Sequence, residues 1–349
     1  MNVETLIAKL TLPDEADRSD AAEDLGYSGA AEAIAPLVAR LTAEPSHKVR
    51  ETIFGALERI DHPEVLTQMA ALLDSDDAFI RNQAVALLQR KGAAAAPVLL
   101  ARMNDADPDV RKFVVDAAAG ISLPVVDAIF AAAMRDADPN VVIAALEHVG
   151  AHRMGGFKPA VEEIFLNAKE PMLVCAAFAS LLEVGDAASW RIIRQRYPTA
   201  ASVPAWELGW WIRALGEFGA ADEIGEFHKF LQSHDDKVAR DTIDALERFQ
   251  VRHGRVAITD EFWALLRKLL QTNLPPEDEL QLLRVVGGFS APPVIGDYLM
   301  ALLEHDNQLT RLGAIEGLKR LGRPDLMERL RNLRGAETDA EVAEALAEC

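Results

Sequence analysis

The sequence predicts an all-α protein, a right-handed α-solenoid (α–α superhelix) of about ten helical hairpins. Three observations carry that prediction. The first is a repeat: aligned on one apolar helix position, the same signature falls at Leu25, Leu57, Leu88, Ala118, Val149, Leu181, Leu215, Leu246, Val286 and Leu318. The intervals are 32, 31, 30, 31, 32, 34, 31, 40 and 32 residues. A period near 31 holds two short helices and two turns. One such hairpin cannot bury its apolar face alone, so the hairpins must stack. The second is a cap: Asp14, Ser46, Asp77, Asp107, Asp138, Asp235 and Asn307 each stand eleven residues before the repeated position. Side-chain oxygens of these residue types accept the orphan N–H groups at a helix start. The third is the pattern itself, which is apolar at helical spacing with no alternating strand period.

In chain order, residues 1–13 read as a short leading cap helix, MNVETLIAKLTL with its polar flank. Residues 14–333 hold the ten repeats as one continuous domain. The clearest first helices are SHKVRETIFGALERI, DDAFIRNQAVALLQRKG and DPDVRKFVVDAAAGI. Pro108 and Pro139 directly follow their caps, where a missing N–H costs nothing. Turns rich in glycine or proline come next, as in GYSGAAEAIAP and IDHPEV. Second helices such as VLTQMAALL, VVDAIFAAAM and VIGDYLMALL complete the hairpins. Seven residues before the repeated position stand Arg18, Arg50, Arg81, Arg111 and Arg311. Repeats five to nine replace that arginine with Val142, Val174, Leu208, Ala239 and Glu279. Neutral drift in a tolerant fold accounts for this, as does specialisation around a binding site. The longest interval contains FQVRHGRVAITDEF, read as an extended loop. Residues 334–349, with ETDAEVAEALAE, read as a polar-faced closing helix, as solenoid ends require.

The Asp-x-x-x-Arg start, clearest in Asp107-Pro108-Asp109-Val110-Arg111, and the apolar spacing after it resemble the HEAT-like repeats of bacteria. The same repeats occur in phycobilisome-lyase proteins, and the likeness spans residues 14–333. The resemblance implies aspartate–arginine ladders between neighbouring repeats. Asp14/Arg18, Asp77/Arg81 and Asp107/Arg111 would be its members, with Asp138 a further cap. It also implies that second helices line the concave face. It is specific for architecture and nearly silent on activity.

The function classes narrow by chemistry. Net charge is −19, which repels phosphate backbones and disfavours nucleic-acid binding. No run approaches the roughly 18 apolar residues of a membrane span. Two cysteines, Cys175 and Cys349, suggest neither zinc nor a disulfide framework, and the N-terminus carries no signal-peptide pattern. A cytoplasmic setting is therefore expected. His148 and His152 have a spacing that suits a metal on one helix face, but Gly150 lies between them and no third ligand is evident. No metal or cofactor is expected. No His-Glu dipeptide occurs, unlike the diiron hydroxylases built from such repeats. No nucleophile elbow, P-loop or dinucleotide loop is present.

Two surface features remain. All five tryptophans fall between Trp190 and Trp263. Trp211 aligns with Ile53, Ala84 and Val114, a core position, whereas Trp206 aligns with Lys48, Asp109 and Asn140, an exposed one. Trp206 is either folded onto a neighbouring turn or an interaction hot spot. Later second helices carry Arg191, Arg194, Lys229, Arg267, Lys268 and Arg329, either an ordinary solvated face or a stripe for an acidic or amphipathic protein segment. The expected function is a non-enzymatic scaffold or adaptor using the concave side of repeats six to eight. The alternatives are an accessory enzyme resembling the phycobilin lyases, acting on a tetrapyrrole and its acceptor protein, and a regulator in a chemosensory or two-component system.

Overall fold

The computed structural model describes residues 2–122, 124–233, 235–272, 274–290, 294–333 and 339–349. Backbone contacts divide it into two compact units, Met1–Ser180 and Leu181–Cys349. In the first unit α1 (Val3–Lys9) packs on α2 (Glu15–Ser28). Hairpins follow as α3 (Ile34–Ala43), α4 (His47–Arg59), α5 (Pro63–Ala71), α6 (Ala78–Lys91), α7 (Ala96–Arg102), α8 (Pro108–Ala119), α9 (Asp127–Ala133), α10 (Pro139–Ala151) and α11 (Lys158–Asn167), and the division falls within α12 (Pro171–Val184). The second unit holds α13 (Ser189–Arg196), α14 (Leu208–Phe218), α15 (His228–Leu231), α16 (Asp236–His253), α17 (Asp260–Leu270), α18 (Pro276–Gly287), α19 (Val294–Ala301), α20 (Gln308–Leu321), α21 (Pro324–Leu333) and α22 (Ala340–Ala347). Residues 334–338 of the expected closing cap lie outside the described residues. Among the described residues the one extended pairing is an isolated bridge between Ala257 and Ser290.

Each unit has two layers. First helices touch first helices, as α2–α4, α6–α8 and α8–α10 do in one unit and α14–α16, α16–α18 and α18–α20 in the other. Second helices form the other layer, as α3–α5–α7–α9 and α15–α17 show. The reason is in the repeat: all ten positions from Leu25 to Leu318 are 0% exposed. Each is the point where a first helix meets its neighbours. Four repeats carry glycine one residue later, and it faces a small residue of the next first helix: Gly26 on Ala56, Gly150 on Ser180, Gly216 on Ala245, Gly287 on Gly317.

The helix starts follow from their side chains. Asp14, Asp77, Asp107, Asp138 and Asp235 each accept backbone N–H bonds from the first turn of their helices. Glu170 does the same for α12, accepting from Met172 N at 3.1 Å and Leu173 N at 2.6 Å, a cap the residue-type rule overlooked. Asp107→Ala is expected to cost on the order of 1 kcal/mol. Asp17, inside α2 and outside the cap position, should cost less when changed to alanine. Equal losses in urea melts would show that Asp107 does not act as the cap.

Two sequence expectations change in detail. FQVRHGRVAITDEF is not wholly a loop, because α16 continues to His253, and Phe249 meets Phe227 edge-on and lies tilted against the His253 ring. Only residues 254–259 connect α16 to α17, and Arg255 crosses to donate to the carbonyls of Arg320 and Leu321. The helical stretch Ala78–Arg102 is long and apolar enough to cross a membrane by length and composition. Gly92, at φ +60°, breaks it into α6 and α7, which lie in different layers of one repeat.

Candidate protein-interaction site

The recurrent arginines come first, because they define what an ordinary repeat junction looks like. Each guanidinium donates to the carbonyl six residues back: Arg18 to Leu12 (3.0 Å), Arg50 to Glu44 (2.5 Å), Arg81 to Ser75 (2.6 Å), Arg111 to Asp105 (2.8 Å) and Arg311 to His305 (2.9 Å). So anchored, it points at the loop that opens the next repeat. Its carboxylate partner there is Glu44 for Arg18, Asp77 for Arg50, Asp136 for Arg111 and Asp339 for Arg311. The ladder implied by resemblance therefore uses cap aspartates in two junctions and the residue two before the cap in two others. That earlier residue is preset for the role, since Glu44 also accepts from Ser46 N and Asp136 from Asp138 N. Asp14 and Asp107 serve as caps, and Arg81 lies over the Phe113 ring at 4.6 Å. Burial pushes the Glu44 carboxyl up, but hydrogen bonds from Arg18, Ser46 N and Arg40 outweigh it and hold it at about 2.

Trp206 stands out against this frame. Pro204 occupies the cap position of its repeat, so the chain enters α14 through a 3-10 turn, Ala205–Glu207. Glu207 is buried and accepts the Tyr197 hydroxyl at 2.6 Å, which pins the turn inward on that side. Trp206 is left on the other side, 66% exposed. Trp206, Trp210 and Arg213 share one face of the first-helix segment at i, i+4 and i+7. On α16 the facing stripe is Lys237, Asp241, Asp244 and Arg248. Between them lies a cleft of about 240 Å³.

Its electrostatics are mixed. Arg213 is held by Glu183 at 2.7 Å, and Arg248 by Glu217 at 2.5 Å. Gly209 has no side chain where one would meet Asp241 Oδ2 at 2.6 Å, so that carboxylate tucks against α14. Burial there pushes the Asp241 carboxyl up, with Lys237 pulling it back. The cleft thus offers an exposed indole, a half-buried acid and an exposed lysine within one side chain's reach of each other.

The second-helix cations lie in the other layer and do not join Trp206. Arg194 sits 3.7 Å from Glu226 and lies over the Trp190 and Trp211 rings at 5.6 and 5.9 Å. Lys229 is 3.8 Å from the same glutamate, and Arg267 lies over Tyr298 at 5.6 Å. Arg191, Lys268 and Arg329 are exposed. Trp211 is fully buried against Trp190 and Phe230. Trp210, Arg213, Lys237, Asp241, Asp244 and Arg248 line the Trp206 cleft and are not among the site residues expected from the sequence. Their i, i+4, i+7 spacing on two adjacent first helices was the available signal.

Among the described residues no group of three His, Cys, Asp or Glu side chains is placed to hold a metal. His148 instead bonds Asp116 at 3.0 Å and stacks on His152.

Residues 3–89 match the family model described as HEAT repeats. No curated protein matches the chain. Among solved structures it is similar to a designed armadillo repeat protein in complex with the peptide (KR)4. That likeness is distant: 19% identity over 53% of this chain and 100% of that chain, with a TM-score of 0.29. The matched residues run from α1 into α6.

Proposed function

We propose that this protein is a non-enzymatic adaptor of the bacterial HEAT-like type, working in the cytoplasm. It binds an amphipathic segment of another protein at the cleft between α14 and α16. The observation that carries the reading is Trp206, held two-thirds exposed by the buried Glu207–Tyr197 bond at the mouth of a preformed cleft. A large aromatic ring kept in water in a resting fold gains most when a partner desolvates it. Preorganisation by the stacked helices lowers the ordering cost of that contact. An apolar side chain would cover the indole, and flanking polar groups would meet Lys237 and Asp241. The cytoplasmic setting rests on the sparse cysteine usage alone.

The test is quantitative affinity capture from the native cell, read by mass spectrometry, with three baits. Trp206→Ala should weaken capture of the wild-type partner by about 1 kcal/mol or more at unchanged helicity and melting temperature. Arg191→Glu with Arg194→Glu, on the other layer, should leave capture intact. If the charge reversal abolishes capture and Trp206→Ala does not, the second-helix face is the binding surface and the cleft reading is wrong.

A further inference from the structure

At the junction between repeats five and six the ladder arginine and the acid two before the next cap are both replaced, and the acid that remains is the cap, Glu170. Repeat four has Arg111 paired with Asp136 at 2.7 Å. One repeat on, the same two positions are Val142 and Ala168. A cavity of about 430 Å³ opens there, lined by Val142, Ala168, Asp136, Glu163, Ile164 and Leu173 among others. We propose that this cavity is a receptor for an arginine side chain presented by a partner protein, which completes the ladder in trans.

The argument rests on the molecule's own precedent. At five other repeats the arginine in this position donates to the carbonyl six residues back. The carbonyl in that position here belongs to Asp136, and the side chain six residues on is valine, which has no donor for it. The fold around the gap is otherwise that of the occupied junctions: Asp138 caps α10 and Glu170 caps α12. An incoming arginine would lay its methylene stem along Val142, Ile164 and Leu173, as long cationic side chains do on apolar surface. Its planar fork would find the loop carbonyl on one side and the exposed Glu163 carboxylate on the other.

The charges already present are accounted for. Asp136 is satisfied by Arg111 and Asp138 N. Arg135, on the rim, donates back to the Ala131 carbonyl of its own helix at 3.1 Å. Glu163 is the lining carboxylate left for a newcomer, on a chain whose net charge of −19 favours a cationic visitor. This site lies in the first compact unit and does not depend on the Trp206 cleft.

The probe is the peptide acetyl-Gly-Arg-Gly-amide, titrated into methyl-labelled full-length protein and followed by NMR. Citrulline and leucine versions are the controls. The arginine peptide should shift the methyls of Val142, Ile164 and Leu173 in a saturable way, and the citrulline peptide should not. Val142→Arg fills the receptor from within and should remove the response. Ala168→Asp restores the ladder acid and should tighten the arginine peptide by about threefold, the return of a partly exposed ion pair. The second variant keeps the test decisive if Val142→Arg does not fold. Absence of a response to arginine overturns the proposal, as does an equal response to citrulline. A stronger response to leucine would show an apolar socket instead.

Discussion

Glu44→Gln is expected to cost about 3 kcal/mol, the scale of breaking a buried ion pair from one side. The Glu44 side chain is 0% exposed and accepts from Arg18 through both oxygens, at 2.9 Å each, from Arg40 at 2.7 Å and from Ser46 N at 2.9 Å. Glutamine keeps the shape but supplies one neutral acceptor, so two guanidinium groups lose a charged partner. The contrast is Glu58→Gln. Glu58 pairs with Arg90 at 2.6 Å in the open, with side chains 39% and 47% exposed, and its loss should cost under about 1 kcal/mol. Denaturant melts of the two variants would separate them. Matching losses would mean that Arg18 and Arg40 are solvated in solution.

The same residue predicts a pH dependence. Its carboxyl titrates at about 2 in the folded chain against 4.5 ordinarily. A depressed acid contributes stability that is complete above the ordinary value and is lost as pH falls toward the folded one. The gap in melting temperature between wild type and Glu44→Gln should therefore be constant from neutral pH to about 5. It should close progressively from 4.5 toward 2. A gap that persists unchanged to pH 3 would show that Glu44 is not held below its ordinary range.

Much of this architecture was written in one-dimensional spacing, because a repeat states its core position ten times. Burial of every position from Leu25 to Leu318 follows from helical period and stacking alone. Asp77, Asp107 and Asp138 as caps follow from residue type. The ladder partners were harder. That Arg18 meets Glu44 and not a cap aspartate depends on how a loop turns, and no periodicity encodes it. Glu170 was passed over because its type is not a preferred cap, although its position in the repeat was right. The cation stripe carries its own alternative in the sequence, balance by nearby acids such as Glu226, and Glu226 lies 3.7 Å from Arg194 and 3.8 Å from Lys229. The partners of Trp206 were missed for the opposite reason: each is ordinary alone, and only the α14–α16 packing brings them together. The gap at Val142 was visible as a lost arginine, but its coincidence with Ala168 needed the observed pairing of Arg111 with Asp136.

Gly287→Ala should destabilise the protein by about 3 kcal/mol, against the sign that helix propensity alone would give. Alanine in place of glycine inside a helix ordinarily gains up to about 1 kcal/mol. Here the added methyl would stand 1.9 Å from the Gly317 carbonyl oxygen and 2.5 Å from its Cα. Both obstacles are backbone, so no side chain can swing aside. α18 and α20 would have to part along their whole contact, which also carries Leu283 and Val286 in the core. Gly317 is equally constrained, since a methyl there would meet the Leu283 carbonyl oxygen at 2.6 Å. The internal control is Gly55→Ala in α4, where the nearest obstruction is the far end of Arg59 at 3.7 Å. That variant should be neutral or gain about 0.5–1 kcal/mol. Urea melts give the two values. Hydrogen exchange should place the loss from Gly287→Ala in α18 and α20, because a repeat passes strain mainly to its neighbours. If Gly287→Ala instead matches Gly55→Ala, the two first helices do not meet backbone to backbone. The rule that pairs Gly26 with Ala56, Gly150 with Ser180 and Gly216 with Ala245 would then lose its tightest member.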